Sequence, residues 1–322
     1  GKGGTTSAPY STGTYNVAVG REALKVFTSA NYSTAIGHSA GKAITTGNSN
    51  TLLGFGAGQS VSTGYSNTYL GVEAGQNNNG FDNVIIGRQA GNDATNTDKL
   101  VLIGNSAGAD INSADADGTV AIGWEAGRAI TSGQYNVAIG YHAGYSNLIS
   151  NENTYIGYQA GYGQLGTDSY GGSTFIGYRA GYSTSDSGFQ RSVAIGAYAG
   201  DNSSNSRNTI VGYYAGRYAG ASNVVIGQQA GIASSGNSYD NATIIGFMAS
   251  ALNAGKSDLV AIGYNAAYSG GSSRGTYIGN SAGYSDVAAG TPYNLYMGHW
   301  TGYYNSAGTK NAYVGGFSGV YA

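Results

Sequence analysis

Along most of the chain one short pattern returns. A polar residue is followed by a β-branched residue, an uncharged residue, an aliphatic residue and a glycine, as in NVAIG at 136–140, NTYIG at 153–157 and NVVIG at 223–227. Aligned on that glycine, the units fall at Gly20, Gly37, Gly54, Gly71, Gly87, Gly104, Gly123, Gly140, Gly157, Gly177, Gly196, Gly212, Gly227, Gly246, Gly263, Gly279, Gly298 and Gly315. There are eighteen of them, 15 to 20 residues apart, most often 17. A fixed short period of this kind marks a repeat architecture, each unit too small to bury its own apolar face.

The columns of this alignment predict the elements. The residue before the glycine is aliphatic in all eighteen units, and two residues earlier 16 of 18 are Val or Thr. Alternation with β-branched residues predicts a short strand. These two columns are expected to point inward, as stacked ladders of a solenoid core. The repeated glycine turns the chain sharply where positive φ is needed. Three residues on, Ala stands in 16 of 18 units, and four on, Gly stands in 15 of 18, marking a second corner. Further apolar residues and Thr-Gly or Ser-Gly turns, as in AITTG at 43 and AITSG at 129, predict a second short strand in each turn. Asn, in ten units immediately before the strand, tolerates left-handed geometry and can hydrogen-bond along the stack. The expected fold is all-β: a parallel β-solenoid, or β-roll, of about 18 turns with two short strands each. A lead-in segment covers residues 1–15 and a single repeat solenoid covers 16–322.

The residue between the two inward columns then faces outward. It is Leu52, Tyr69, Ile85, Leu102, Tyr155, Phe175, Ile210, Val225, Ile244, Tyr277, Tyr296 or Tyr313 in twelve units and Ala in the other six, never charged. At about 4.8 Å per turn, eighteen turns would expose an apolar stripe about 85 Å long, more than a soluble monomer tolerates. Self-association about an axis parallel to the solenoid would cover it, so these twelve residues are the expected oligomer interface.

The phrases NVAIGYHAG, GTVAIGWEAG and RSVAIGAYAG resemble the head repeats of trimeric autotransporter adhesins and the related repeats of bacteriophage tail fibres. The resemblance covers residues 16 to 319. It implies a left-handed parallel β-roll, three chains around one central axis, and an extracellular setting on a cell surface or virion. The function it implies is non-enzymatic: a rigid fibre segment with exposed loops for attachment to a cell-surface glycan or protein. The alternative is a self-assembling extracellular filament of solenoids stacked end to end.

Composition narrows the field. Glycine is 57 of 322 residues but proline only 2, which excludes collagen-like and proline-rich readings. Charged residues make up 9% and the net charge is −2, which gives no footprint for nucleic acid and no polybasic patch for a membrane. No stretch is apolar enough to span a bilayer, so no membrane insertion is expected. Cysteine is absent, so there is no disulfide frame or thiolate metal site.

Candidate chemistry is sparse. His38, His142 and His299 all fall just after a corner glycine, a surface placement. Glu22, Glu73 and Glu125 share a column but lie on turns one, four and seven, too far apart for a glycosidase-type pair. Asp110, Asp115 and Asp117 share one loop, without the spacing of a strong calcium motif. GFGAGQ at 54 looks like a nucleotide-binding loop but is a repeat corner. No catalytic residue, metal site or cofactor is expected. The candidates for surface binding are the aromatic residues after the corner glycine: Trp124, Tyr141, Tyr158, Tyr178, Tyr213 and Tyr264, with Phe55 and Phe247 in the same column. Stacking on neighbouring turns is the competing reading of the same column.

Overall fold

The structure, a computed structural model, describes residues 11–163, 171–183, 190–203, 206–233, 238–252, 256–286, 293–305 and 308–321. The protein is a parallel β-solenoid, divided into two compact units. The first comprises residues 1–159 with 165–171, the second 160–164 with 172–322. In the first unit the strands are β1 (Val17–Val19), β2 (Thr34–Ile36), β3 (Thr51–Leu53), β4 (Thr68–Leu70), β5 (Val84–Ile86), β6 (Val101–Ile103), β7 (Val120–Ile122), β8 (Val137–Ile139) and β9 (Thr154–Ile156). In the second they are β10 (Thr174–Ile176), β11 (Val193–Ile195), β12 (Thr209–Val211), β13 (Val224–Ile226), β14 (Thr243–Ile245), β15 (Val260–Ile262), β16 (Thr276–Ile278), β17 (Leu295–Met297) and β18 (Ala312–Val314).

Within each unit every strand pairs in parallel with the next in sequence, column on column. Val84 sits on Val101, Ile85 on Leu102 and Ile86 on Ile103; in the second unit Thr243 sits on Val260, Ile244 on Ala261 and Ile245 on Ile262. The predicted repeat frame is therefore the register of the sheet.

The number of strands per turn differs from expectation. Each turn carries one three-residue strand, and among the described residues no second named strand accompanies it. The rest of the turn does stack by backbone hydrogen bonds, such as Gly41 N to Ala57 O at 2.9 Å and Ala43 N to Gln59 O at 3.0 Å. It cannot count as extended chain because left-handed residues interrupt it. Two and four residues after the corner glycine φ is positive, as at Gln89 (56°) and Gly91 (52°). Five residues before that glycine it is positive again, as at Asp82 (56°).

The corner glycine itself is required twice over. Its φ lies near +135°, as at Gly87 (134°), where only glycine is at ease. A Cβ built on Gly20 would also lie 2.6 Å from the carbonyl oxygen of Gly37, one turn on. Successive corners approach too closely for any side chain.

The strand faces are the reverse of the expectation. The middle residue points into the solenoid's own interior, while the two flanking residues face out: Leu52 is fully buried between exposed Thr51 and Leu53. The expected interface residues Leu52, Tyr69, Ile85, Leu102, Tyr155, Phe175, Ile210, Val225, Ile244, Tyr277 and Tyr296 are all buried within one chain. Tyr313, in the last turn, is half-buried. The physical reason lies across the narrow interior. There the middle residue meets the second-corner glycine, and a Cβ on Gly41 would lie 2.7 Å from Leu52 Cδ1. Buried Ala40, Ala57 and Ala74 leave room for one large side chain from the strand.

The Asn column before the strand is interior too. Asn50, Asn67, Asn83, Asn136, Asn153, Asn208, Asn223 and Asn294 are buried. Their amides bond backbone of the adjacent turn, as where Asn67 Nδ2 donates to Gly80 O at 2.8 Å and Asn67 Oδ1 accepts from Asn83 N at 3.0 Å. The left-handed residue is the one just before it, such as Ser66 (φ 56°).

Candidate interaction surfaces

Two surfaces recur along the chain: the outward strand face on every turn, and the corner, whose first position is aromatic in eight of the eighteen turns. On the strand face the first column holds Val or Thr in 16 of 18 turns, and the third is aliphatic throughout. Exposure is substantial, 42% at Leu53 and 38% at Ile226. Strand rise and pairing place the two columns roughly 7 Å apart and successive turns about 4.8 Å apart. Nine turns in each unit thus carry an uncharged strip roughly 40 Å long. Reading the sequence put this strip inside. The signal that could have found it is the Thr of the first column, present in eight turns, against a middle column that has no Ser, Thr, Asn or Gln anywhere.

The corner aromatics sit where the sequence placed them. Trp124, Tyr141, Tyr158, Tyr178, Tyr213 and Tyr264 are 42 to 51% exposed. Most corner rings spend their faces on each other: Tyr141 and Tyr158 stack at 5.2 Å and 7°, Phe247 and Tyr264 at 5.4 Å and 8°, His38 and Phe55 at 5.3 Å and 11°. Rings stacked along the solenoid turn only their edges outward, which stiffens the ladder.

The corner changes in the second unit. Tyr198 and Tyr214 stack at 4.4 Å, but Tyr213 stands at 79° to Tyr198 and 88° to Tyr214. Behind them Asp201, buried, lies 3.5 Å from Arg179 Nη2 and 3.7 Å from Arg217 Nε. Burial pushes the Asp201 carboxyl above the usual aspartate range, and the two guanidiniums oppose that shift. A hydrogen bond with Tyr198 and partial desolvation raise the Tyr178 hydroxyl above its ordinary value.

The remaining candidates are engaged separately. Glu22 is held by Lys42 at 2.7 Å and Lys25 at 2.9 Å, while Glu73 accepts from Gln89 Nε2 at 3.0 Å. Glu125 takes Arg128 Nη1 at 2.6 Å and His142 Nε2 at 2.9 Å. His38 and His299 are exposed at the corner and His142 is half-buried there. The acidic loop disperses its carboxylates: Asp110 faces Arg128 at 3.8 Å, Asp115 accepts from Ser113 Oγ at 3.3 Å, and Asp117 accepts the Asp98 N–H at 2.8 Å. Among the described residues no three His, Asp or Glu side chains converge on a metal position, and no helix is long and apolar enough to cross a membrane.

One polar centre went unseen in the sequence. Asp286, buried, accepts from Asn294 Nδ2 at 3.0 Å, Asn305 Nδ2 at 2.8 Å, Tyr277 Oη at 2.5 Å and Ser272 Oγ at 3.4 Å. Its partners come from three different stretches of chain, so no local motif announces it. It is enclosed by donors and faces the interior, an arrangement that ties turns together.

No family model, curated protein or solved structure matches the chain.

Proposed function

We propose that this chain is a non-enzymatic structural segment of an extracellular fibre, of the kind found in cell-surface adhesins and bacteriophage tail fibres. Three copies pack their strand faces around one axis parallel to the strand stack. The observation that carries this reading is the outward strand face: in all eighteen turns both outward positions are uncharged, and one is always a sizeable aliphatic residue. An apolar strip on every turn exceeds what a solitary soluble chain ordinarily presents. Copies arranged about a parallel axis bury the same strip at every turn, because the repeat period of each chain matches that of its neighbours. The number three comes from the resemblance of the A-I-G repeats to the trimeric heads. The interface moves from the middle column to the flanking ones; the reason for having one is unchanged. Corners and loops stay outside, available for attachment.

Light scattering tests this directly. The expected mass is about three times the 32.6 kDa of one chain. Ile86→Asp, Ile103→Asp and Ile122→Asp together should return single chains with an unchanged circular dichroism spectrum, since these side chains point away from the solenoid's own interior. A wild-type protein of single-chain mass at micromolar concentration would overturn the proposal. Long filaments of uniform width under negative stain would instead favour end-to-end stacking of solenoids.

A further inference from the structure

Five residues after the corner glycine, the second unit carries a tyrosine on three successive turns: Tyr268, Tyr284 and Tyr303, preceded in that column by Ala251 and followed by Val320. Tyr284 and Tyr303 stack with centroids 4.7 Å apart and planes 2° from parallel, and Tyr268 and Tyr284 stack at 4.9 Å and 15°. Backbone hydrogen bonds beside the rings fix this register: Ser269 N donates to Tyr284 O and Ser285 N to Tyr303 O, both at 2.9 Å. All three tyrosines are half-buried.

The stack opens to solvent at Tyr303. Tyr304, 47% exposed, lies 4.5 Å from Tyr303 with its ring at 80°, and Trp300, 40% exposed, lies 4.8 Å from it. An aromatic ring that loses an electron at the surface is thus in contact with Tyr303, and Tyr303 with Tyr284. Elsewhere the same stacking is made with a ring that lacks a hydroxyl: Phe247 faces Tyr264 at 5.4 Å and 8°, and Phe81 faces Tyr65 at 5.0 Å and 3°. Those pairs stiffen the ladder equally well, so packing by itself calls for an aromatic ring and not for three phenols in succession.

We propose that Tyr284 is a site of oxidative cross-linking, joined to Tyr303 and then to Tyr268 by dityrosine bonds that staple successive turns. The oxidant is hydrogen peroxide acting through a haem peroxidase. Each of two neighbouring phenols gives up one electron and its hydroxyl proton, and the two radicals join through a carbon ortho to each hydroxyl. The hydrogens on the joined carbons then leave as protons while the two oxygens regain theirs. A pair loses two hydrogens in all, and one peroxide becomes two waters. Coupling requires two radicals to meet, and rings already in contact make that step intramolecular. Tyr284 has two ortho carbons, one for each neighbour. A bond between Tyr284 and Tyr303 closes a covalent loop across adjacent turns, which restricts the unfolded chain as a disulfide does. The proposal goes beyond the fibre reading and does not depend on the number of chains.

The test is oxidation of the intact protein, at micromolar concentration, with a haem peroxidase and hydrogen peroxide, followed by denaturing electrophoresis and peptide mass analysis. Cleavage after Arg274 and before Asp286 puts Tyr268, Tyr284 and Tyr303 on different peptides, so each bond appears as a joined pair lighter by two hydrogens than its parts. The expected products are Tyr284–Tyr303 first and Tyr268–Tyr284 second, in chains that keep the single-chain mass of 32.6 kDa. Tyr284→Phe keeps the ring and lacks the phenol, so both bonds should be lost. The urea midpoint of wild type should rise on oxidation, and that of Tyr284→Phe should stay where it was. Absence of any joined peptide containing Tyr284, bonds formed chiefly between chains, or no more joining at Tyr284 than at the exposed Tyr135 and Tyr293 would each overturn the proposal. A cross-linked wild type with an unchanged urea midpoint would overturn the staple.

Discussion

Asn67 Oδ1 accepts both the backbone N–H of Asn83, at 3.0 Å, and its side-chain Nδ2, at 2.9 Å, one turn on. Asn83 repeats the gesture, accepting from Leu100 N at 2.8 Å and donating from Nδ2 to Thr97 O at 2.9 Å. From Asn50 through Asn83 the column is a buried polar ladder beside the strands, and Leu100 ends it. Asn83→Ala would leave the buried Leu100 N–H unanswered and take a donor from Thr97 O. An unpaired buried group costs about 1–3 kcal/mol, so the expected loss is roughly 2–4 kcal/mol in chemical denaturation. Amide exchange at Leu100 should accelerate well beyond that of Val101. Unchanged protection at Leu100 would show that the ladder contributes nothing there.

The second-corner glycines face interiors of different fullness. A Cβ on Gly181 would lie 2.5 Å from Phe175 Cδ2, whereas on Gly127 the nearest strand atom is Ala121 Cβ at 3.4 Å. Two of the three natural exceptions follow the same logic, Ala267 opposite Ala261 and Leu24 opposite Ala18, both left-handed, whereas Ser250 stands opposite Ile244. Gly127→Ala is therefore expected to cost about 1 kcal/mol, the left-handed penalty alone, with a small shift of the Ile130 side chain. Gly181→Ala adds overpacking against a rigid ring, about 1–3 kcal/mol more. Thermal unfolding of the two variants side by side checks the difference. Equal losses would mean that backbone strain, not interior volume, selects glycine at this column.

The repeat frame, the strand before each corner glycine, and the need for positive φ at that glycine were legible, because periodicity and Gly columns report backbone geometry directly; the second strand expected in each turn is not found among the described residues. Which face of the strand is interior was not legible. Period two separates the faces without labelling them, and a column of Ile and Val reads as core by composition alone. The middle column carried the better clue: it ranges from Ala121 to Tyr69 while never turning polar, as expected for side chains fitted to a local interior volume. Left-handed residues before the strand and two after the corner were also invisible. They are occupied by Glu73, Lys99, Gln159, Tyr214 and others with no preference for that region. Their strain is offset by amide hydrogen bonds to the adjacent turn, such as Glu73 N to Phe55 O at 2.8 Å. That compensation comes from stacking and leaves no mark on composition.

Asp286 should be intolerant of its own isostere. Four neighbours among the described residues approach with donors: Asn294 Nδ2, Asn305 Nδ2, Tyr277 Oη and Ser272 Oγ. Asp286→Asn places an amide donor against at least one of them and weakens the charge-assisted bond to Tyr277. Burial, with the Asp286 charge, raises the Tyr277 hydroxyl well above the ordinary tyrosine value, so it stays a donor across the accessible pH range. The expected cost is about 2–3 kcal/mol, from one unsatisfied buried group and one weakened bond. Urea denaturation followed by tyrosine fluorescence reads it. A variant as stable as wild type would mean that the carboxylate is dispensable to the turns it joins.

Glu22 provides a pH dependence with a defined sign. Hydrogen bonds from Lys42 and then Lys25, outweighing slight desolvation, lower its carboxyl to about 2 from an unperturbed value of 4.5. A group whose folded value is depressed stabilises the fold fully above its unfolded value. That contribution disappears as pH falls from about 4.5 to about 2, where the carboxylate takes up its proton in the folded state too. Lys42→Gln removes the largest cause, so the Glu22 carboxyl should titrate closer to 4.5 in a carbon-detected NMR titration. The stability difference between wild type and variant should be present at pH 6, shrink toward pH 2, and diminish with added salt, as for any solvent-exposed pair. A Glu22 midpoint unmoved by Lys42→Gln would assign the shift to Lys25 alone, and Lys25→Gln then becomes the variant that must move it.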